Sequence, residues 1–438
     1  MSFGFRKWIS FIICAICYAF CHLHRYSPSV LAPDMAPDLN VTISKLGIFS
    51  SMYFWSYAAM QPIIGCLADV VDPGMILFVS GMISSLGSII VGISSTFVMA
   101  SIGRFMVGIG VSCTFVSVCR FMANWFNPQT YTLINSILLS IGGIGGISSQ
   151  KPLLLMSHSM GWRWSMITIG IFGLVFAILA GIIVRDSPIT LGYPKVDGTE
   201  PPIKRDSVAL LFQDAWDHLI EVIMIPEFWV HAMSIFFSTS CFQNVSGMWA
   251  VPYMTDTYGF SRDKAATISI SLLIVMIFGS PILGYISFKT GMKKGLHIIC
   301  LSFGFSVTLV FVIFVNKVPE LALYPLFFFF GATTTSTQSF TMPMFKDMVR
   351  PSCSAAATGC GNMFVFLGAA IAQSTTSLIL NSSGKSPYSP QSYRIALWGV
   401  CLISLSCAII LASYLKMPQL NQENIEHDPS VDEEIDEL

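Results

Sequence analysis

Four cations sit inside long apolar runs of this sequence: Arg25, Arg104, Arg120 and Lys151. The nearest acids, Asp34, Asp69 and Asp347, stand at the ends of their runs rather than at matching depth. A guanidinium keeps its proton even when buried, and in lipid it costs at least about 3 kcal/mol. Each such group therefore faces a wet cavity or a partner. A cluster of cations without buried counter-ions attracts an anion, because one contact pair at low dielectric is worth several kcal/mol before desolvation is subtracted. The chemistry these residues predict is the binding of a carboxylate, a phosphate or a similar group.

The candidates differ in what else they could do. Arg25 is the first choice for ligand contact; the alternative is a guanidinium satisfied by helix carbonyls. Lys151, followed by Pro152, comes next, against a lysine that snorkels to the outer surface. Arg104 divides between ligand contact and helix packing. Arg120, near the end of its run, reads as a partner for Asp69 or for lipid phosphates. His22 lies three residues before Arg25 and shares its helical face. A titrating imidazole there would be a mid-span proton carrier; the plainer reading is a neutral, hydrogen-bonded histidine. The second half of the chain carries no such cations and offers neutral polar groups instead. Of these, Gln243 and Asn362 are taken as ligand contacts, while Asn244, Trp249, Tyr253, Gln338 and Gln373 read as interhelical hydrogen-bond partners.

The elements that position these groups are membrane spans. Of 438 residues, 54% are hydrophobic and only 11% charged, against about a quarter charged in soluble domains. A run of about 20 apolar residues crosses a bilayer. Trp8 to Met35 begins such a run, and at about 1.5 Å per residue Arg25 lies some 25 Å along it, past the middle. Arg6 and Lys7 ahead of it mimic a secretory leader, but the run is too long for one, so a retained first span is expected. Hydropathy gives spans near 8–32, 45–68, 75–96, 98–125, 130–157 and 162–184. After a polar gap they resume near 227–254, 265–288, 295–315, 320–345, 354–380 and 392–416. The expected fold is an all-α membrane protein: a six-helix bundle over 1–185, a cytosolic linker over 186–226 with one amphipathic stretch from Leu210 to Ile225, a second six-helix bundle over 227–416, and an acidic tail over 417–438. A net charge of -1 gives no argument for nucleic acid. The 12 cysteines lack metal-ligand spacing, and no nucleophile–base constellation occurs in the spans, so neither a cofactor nor an enzyme is expected.

Twelve Lys and Arg fall in loops on the N-terminal side against seven on the other, which places both termini in the cytosol. The sequons at Asn40 and Asn381 then lie outside, as in a glycoprotein; a third, at Asn244, falls within a span. Asp206 to Leu211 matches an acidic dileucine signal, so the plasma membrane and endolysosomal membranes are both open.

The halves repeat. Gly65 to Asp69 follows the second span, and Gly284 to Lys294, with Lys289 and Gly291, follows the eighth. Two bundles related by an axis along the membrane normal would place loops this way. Here the sequence resembles the major facilitator superfamily over nearly its whole length. Gly65 and Asp69 resemble the loop signature after the second helix. Arg104, Gly108 and Gly110 resemble the fourth-helix pattern, Gly142, Gly143, Gly145 and Gly146 the glycine-rich fifth helix, and Gly161-Trp-Arg163-Trp the turn before the sixth. Arg25, Trp249 and Pro252 further resemble the family's organic-anion carriers. The resemblance implies a secondary carrier of a small organic solute, anionic or amphoteric, working by alternating access, with protons as a possible coupling ion. The alternatives are a carrier of neutral or cationic solutes with structural arginines, and a sensor or scaffold of the same fold. It also implies a latch between bundles formed by Gly65, Asp69, Arg120, Lys289 and Gly291, weakened because Val70 stands where a basic residue is usual and Phe288 where the second copy should carry an acid.

Overall fold

The computed structural model describes residues 2–194, 196, 208–335, 337–350, 353–384 and 386–416. The regular elements among them are helices: α1 (Phe3–Tyr26), α2 (Pro28–Asp38), α3 (Ile43–Val70), α4 (Pro73–Ile93), α5 (Phe97–Ser112), α6 (Thr114–Trp125), α7 (Pro128–Ser148) and α8 (Lys151–Ile183). Then come α9 (Val208–Ile223), α10 (Pro226–Asn244), α11 (Ala250–Tyr258), α12 (Arg262–Thr290), α13 (Lys293–Ile313), α14 (Glu320–Thr334), α15 (Gln338–Lys346), α16 (Ser354–Ser382), α17 (Pro390–Tyr393) and α18 (Val400–Tyr414). π-helical segments join α10 to α11 and α17 to α18.

Eight helical runs among the described residues, with α5–α6 and α17–α18 each taken as one, are long and apolar enough to cross a bilayer. They correspond to the first, third, fourth, sixth, eighth, ninth, eleventh and twelfth expected spans. The other four fall to α3, to α7 with the start of α8, to α10 through α11, and to α14 with α15; these are polar, split or bent. The fold is the expected one: a membrane protein of twelve transmembrane helices in two six-helix bundles. With twelve spans, the described ends Ser2 and Lys416 lie on one face, called here the terminal face, and α9, between the sixth and seventh spans, lies on it too. The dileucine string reaches beyond the described residues, as do the tail over 417–438 and the side chain of Asp69.

Proline and glycine set where helices bend and how closely they approach. Pro28 has no N–H, so α1 gives way at Ser27 to α2. Gly161 takes φ 81 and ψ 157 inside α8, the turn at which the fifth span passes into the sixth. On α7, a Cβ at Gly142 would lie 2.6 Å from Tyr18 of α1, and one at Gly143 would lie 2.7 Å from Ile277 of α12. A Cβ at Gly145 would collide with the main chain of Ala19, 2.7 Å from its carbonyl carbon. Backbone cannot give way as a side-chain tip can, so Gly145→Val should lower the melting temperature of the purified protein by several degrees, an overpacking cost of about 1–3 kcal/mol. Gly4→Ala, with open space around it, should leave it unchanged.

The two bundles meet along α3 and α16. Ser44 donates to Asn381 (3.1 Å) near the opposite face, and Ser374 donates to Ser51 (3.1 Å) further in. Tyr57 then stacks on Phe366 with ring centroids 3.7 Å apart, and Asn362 donates to Gln61 (2.8 Å) toward the terminal face.

Candidate functional site

Arg25 ends up where the bundles meet. It is buried, and its guanidinium lies 5.0 Å from the ring centroid of Phe366 on the second bundle. Tyr57 and Tyr53 of the first bundle lie at 5.7 and 5.9 Å. Its Nε donates to the Tyr53 hydroxyl (3.3 Å), and the Tyr26 hydroxyl stands beside it. Among the described residues no carboxylate pairs with it. Aromatic faces and phenols favour a cation by a few kcal/mol in all, less than removal from water costs.

Arg104 explains how Arg25 is held. An N–H at position 28 would have bonded to the carbonyl of His24; proline leaves that oxygen without its helical donor. Arg104 supplies one, with Nη1 donating to His24 O (2.5 Å) and Nη2 to Arg25 O (3.2 Å). Its plane lies 4.7 Å from the Tyr53 ring centroid, so two guanidiniums flank one phenol. The expectation of ligand contact by Arg104 is corrected here: in this conformation it serves the main chain at the bend, and it acts on the site through Arg25. Arg104→Lys cannot reach both carbonyls. With charge-assisted hydrogen bonds worth about 1.5–3 kcal/mol each, that variant should lose at least roughly tenfold in ligand affinity while remaining folded, read by equilibrium binding and circular dichroism.

The remaining candidates divide. His22 is buried, stacked edge-on against Tyr18 (4.7 Å), with Nδ1 3.2 Å from the Tyr18 carbonyl. A carbonyl only accepts, so Nδ1 carries a proton in this arrangement. Lys151 is half-buried and makes no ion pair or side-chain hydrogen bond among the described residues. Gln243 is buried within reach of the Tyr26 hydroxyl. Asn362 meets Gln61 across the bundles, so in this conformation it is an interbundle tie rather than an open ligand group. Gln373 and Asn244 are oriented by their neighbours. Gln373 Nε2 donates to Gln243 O, and Asn244 Nδ2 donates to Thr376 Oγ1, which itself donates to Ala396 O. Their carbonyl oxygens are left as buried acceptors without partners.

The latch residues also land differently. Arg120 donates to Asp186 from Nε (2.8 Å) and Nη2 (2.7 Å), and Asp72 caps α4 while accepting from the Asp186 N–H (2.9 Å). These contacts lie within the first bundle, and the expected partner Asp69 has its side chain outside the described residues. Gly65 lies on α3, Lys289 is exposed with no ion pair among the described residues, and Gly291 is the left-handed cap of α12. The interbundle ion pair stands on the opposite face. Arg262 of α12 donates to both oxygens of Asp34 on α2 (2.6 and 2.8 Å) and to Val30 O (2.8 Å). Sequence reasoning missed this pair because the two residues are 228 apart and each reads as a loop charge. It also missed Tyr53, Tyr57 and Phe366, which look like ordinary core aromatics. Of the sequons, Asn40 and Asn381 are exposed and Asn244 is fully buried within α10.

A family model described as Major Facilitator Superfamily matches residues 14–372 and 232–434. The chain is 24% identical over 183 residues to a probable sulfoacetate transporter of Cupriavidus necator, covering 42% of each chain. It is 23% identical over 282 residues to a hexuronate transporter of Bacillus subtilis, covering 63% of each, and 22% identical over 283 residues to a probable hexose phosphate transport protein of Chlamydia muridarum, covering 62% of each. The matches thus span less than two thirds of these relatives. Among solved structures, a bacterial homolog of the human lysosomal transporter Spinster, inward-facing and unoccupied, superposes with a TM-score of 0.71 at 15% identity, over 94% of this chain and 96% of that one.

Proposed function

Because the chain belongs to the major facilitator superfamily, we propose that it is a secondary transporter carrying a small organic anion through its centre by alternating access. The observation that carries this reading is Arg25: a buried guanidinium at the meeting of the two bundles, ringed by aromatics, with no carboxylate partner among the described residues. Its missing counter-ion is the cargo. The named relatives carry a sulfonate, a carboxylate or a phosphate, three anions that a planar guanidinium can grip through two parallel hydrogen bonds. On the second bundle, Gln243, Gln373 and Asn244 supply acceptor oxygens, which suit the hydroxyl or ammonium end of an amphoteric solute.

With no acid beside Arg25 among the described residues, the reading favours exchange, facilitated flux or histidine-linked proton coupling over carboxylate-driven symport. Loop charge supports a cytosolic terminal face, in the plasma membrane or an endolysosomal membrane. The test is counterflow into proteoliposomes with glucuronate, sulfoacetate and glucose 6-phosphate, beside glucose and choline. Flux of at least one anion and neither uncharged nor cationic solute supports the proposal. Flux of glucose or choline alone would assign the arginines to structure.

A further inference from the structure

The stretch Trp216–Ile223 of the linker helix α9 is set at 87° to the apolar run from Pro226 to Tyr258, nearly perpendicular to it. Its side chains are described from Trp216 onward. One face is buried: Val222, with Leu219 and Ile225 beside it, belongs to the apolar cluster that also holds Met344, Phe345 and Cys353 of the second bundle. The face turned away from that core is also apolar. Trp216 is 62% exposed, Ile220 41%, Ile223 39% and Met224 75%. At 100° per residue these four fall within about one third of the helix circumference. A solvated outer face would carry charge; here Glu221, at the flank, is held by Arg350 through Nε (2.8 Å) and Nη2 (2.5 Å). That hydrogen bonding holds the Glu221 carboxyl below its usual range.

The level of α9 is fixed by a second observation. Trp229, in the first turn of α10, is 42% exposed, and its indole N–H donates to Ile223 O (2.7 Å). Tryptophan at the end of a transmembrane helix sits at the headgroup layer. The exposed stripe of α9 is therefore continuous with the lipid-facing belt. We propose that Trp216, Ile220, Ile223 and Met224 form a bilayer-docking surface, with α9 resting in the headgroup layer at the terminal face. The polar flank holds Asp217 and Glu221 rather than lysines, so the apolar stripe supplies the attraction and anionic lipid adds nothing. α9 touches α3 of one bundle and α16 of the other, which places this anchor across the seam between them.

The test uses the full chain in nanodiscs of phosphatidylcholine. The photocrosslinker p-benzoylphenylalanine is placed at Trp216, at Ile220 and, as a lipid-facing reference on α5, at Ile102, which is 55% exposed. Mass spectrometry should find phospholipid adducts at all three, with yields at Trp216 and Ile220 changing less than twofold when a third of the lipid is phosphatidylserine. Adducts at Ile102 alone, or crosslinks from Trp216 and Ile220 to protein only, would overturn the proposal. So would a severalfold rise in yield with phosphatidylserine.

Discussion

Arg25→Ala lowers anion uptake by roughly fiftyfold at substrate concentrations near the native KM, while purification yield and helical content stay unchanged. Two charge-assisted hydrogen bonds to an anionic cargo are worth about 3 kcal/mol or more together, which is roughly a hundredfold in affinity. Removal of the guanidinium also relieves the cost of keeping a charge buried, so the variant folds at least as well. Arg25→Lys keeps the charge but offers a point instead of a fork; it should recover part of the flux, with KM raised about tenfold. The measurement is counterflow of whichever anion the native protein carries. Undiminished flux in Arg25→Ala would remove Arg25 from the site.

The second large effect lies on the opposite face. Arg262→Ala deletes the one donor that reaches both oxygens of Asp34 and the carbonyl of Val30. The pair is about a quarter to a third exposed, so its contribution lies between that of a surface pair and a buried one. A loss of about 1.5 kcal/mol shifts a two-state equilibrium roughly tenfold. Spin labels at Ser159 and Ser383, both exposed on that face, should report a longer-distance population grown by about that factor. Acid should do the same only in the extreme. Burial raises the Asp34 carboxyl, and the hydrogen bonds from Arg262 more than reverse this, leaving it below its usual range. A group depressed in this way stabilises the closed face at every pH above its ordinary value of about 3.9 and loses that contribution only as pH falls through the lowered folded value. The distance distribution should therefore be the same at pH 7 and pH 5.

Much of the architecture was legible because span length and the lack of charge follow directly from the thickness of the bilayer. The glycines of α7 were legible as packing residues for the same kind of reason: small side chains mark close helix contact. Arg25 was legible because a charge in an apolar run is expensive. What touches it was not. Tyr57 and Phe366 belong to helices 309 residues apart in sequence, and nothing about an aromatic in an apolar run says which neighbour it will meet. Arg104 was ambiguous because its role depends on Pro28, on another helix. Asp186 was not legible as a partner of Arg120, because it reaches that guanidinium from beyond the sixth span, 66 residues on.

A charge holds the Pro28 bend. Arg104 is anchored to carbonyls, yet anchoring does not neutralise it; two partial dipoles leave most of a full elementary charge behind. Its field adds to that of Arg25 in the buried surroundings the two share, where salt screens little. The bend thus gives the protein a standing electrostatic lure. Under the proposed function, negatively charged solutes would be drawn inward before touching a side chain, and metal cations and protonated amines would be turned away by a residue that never meets them.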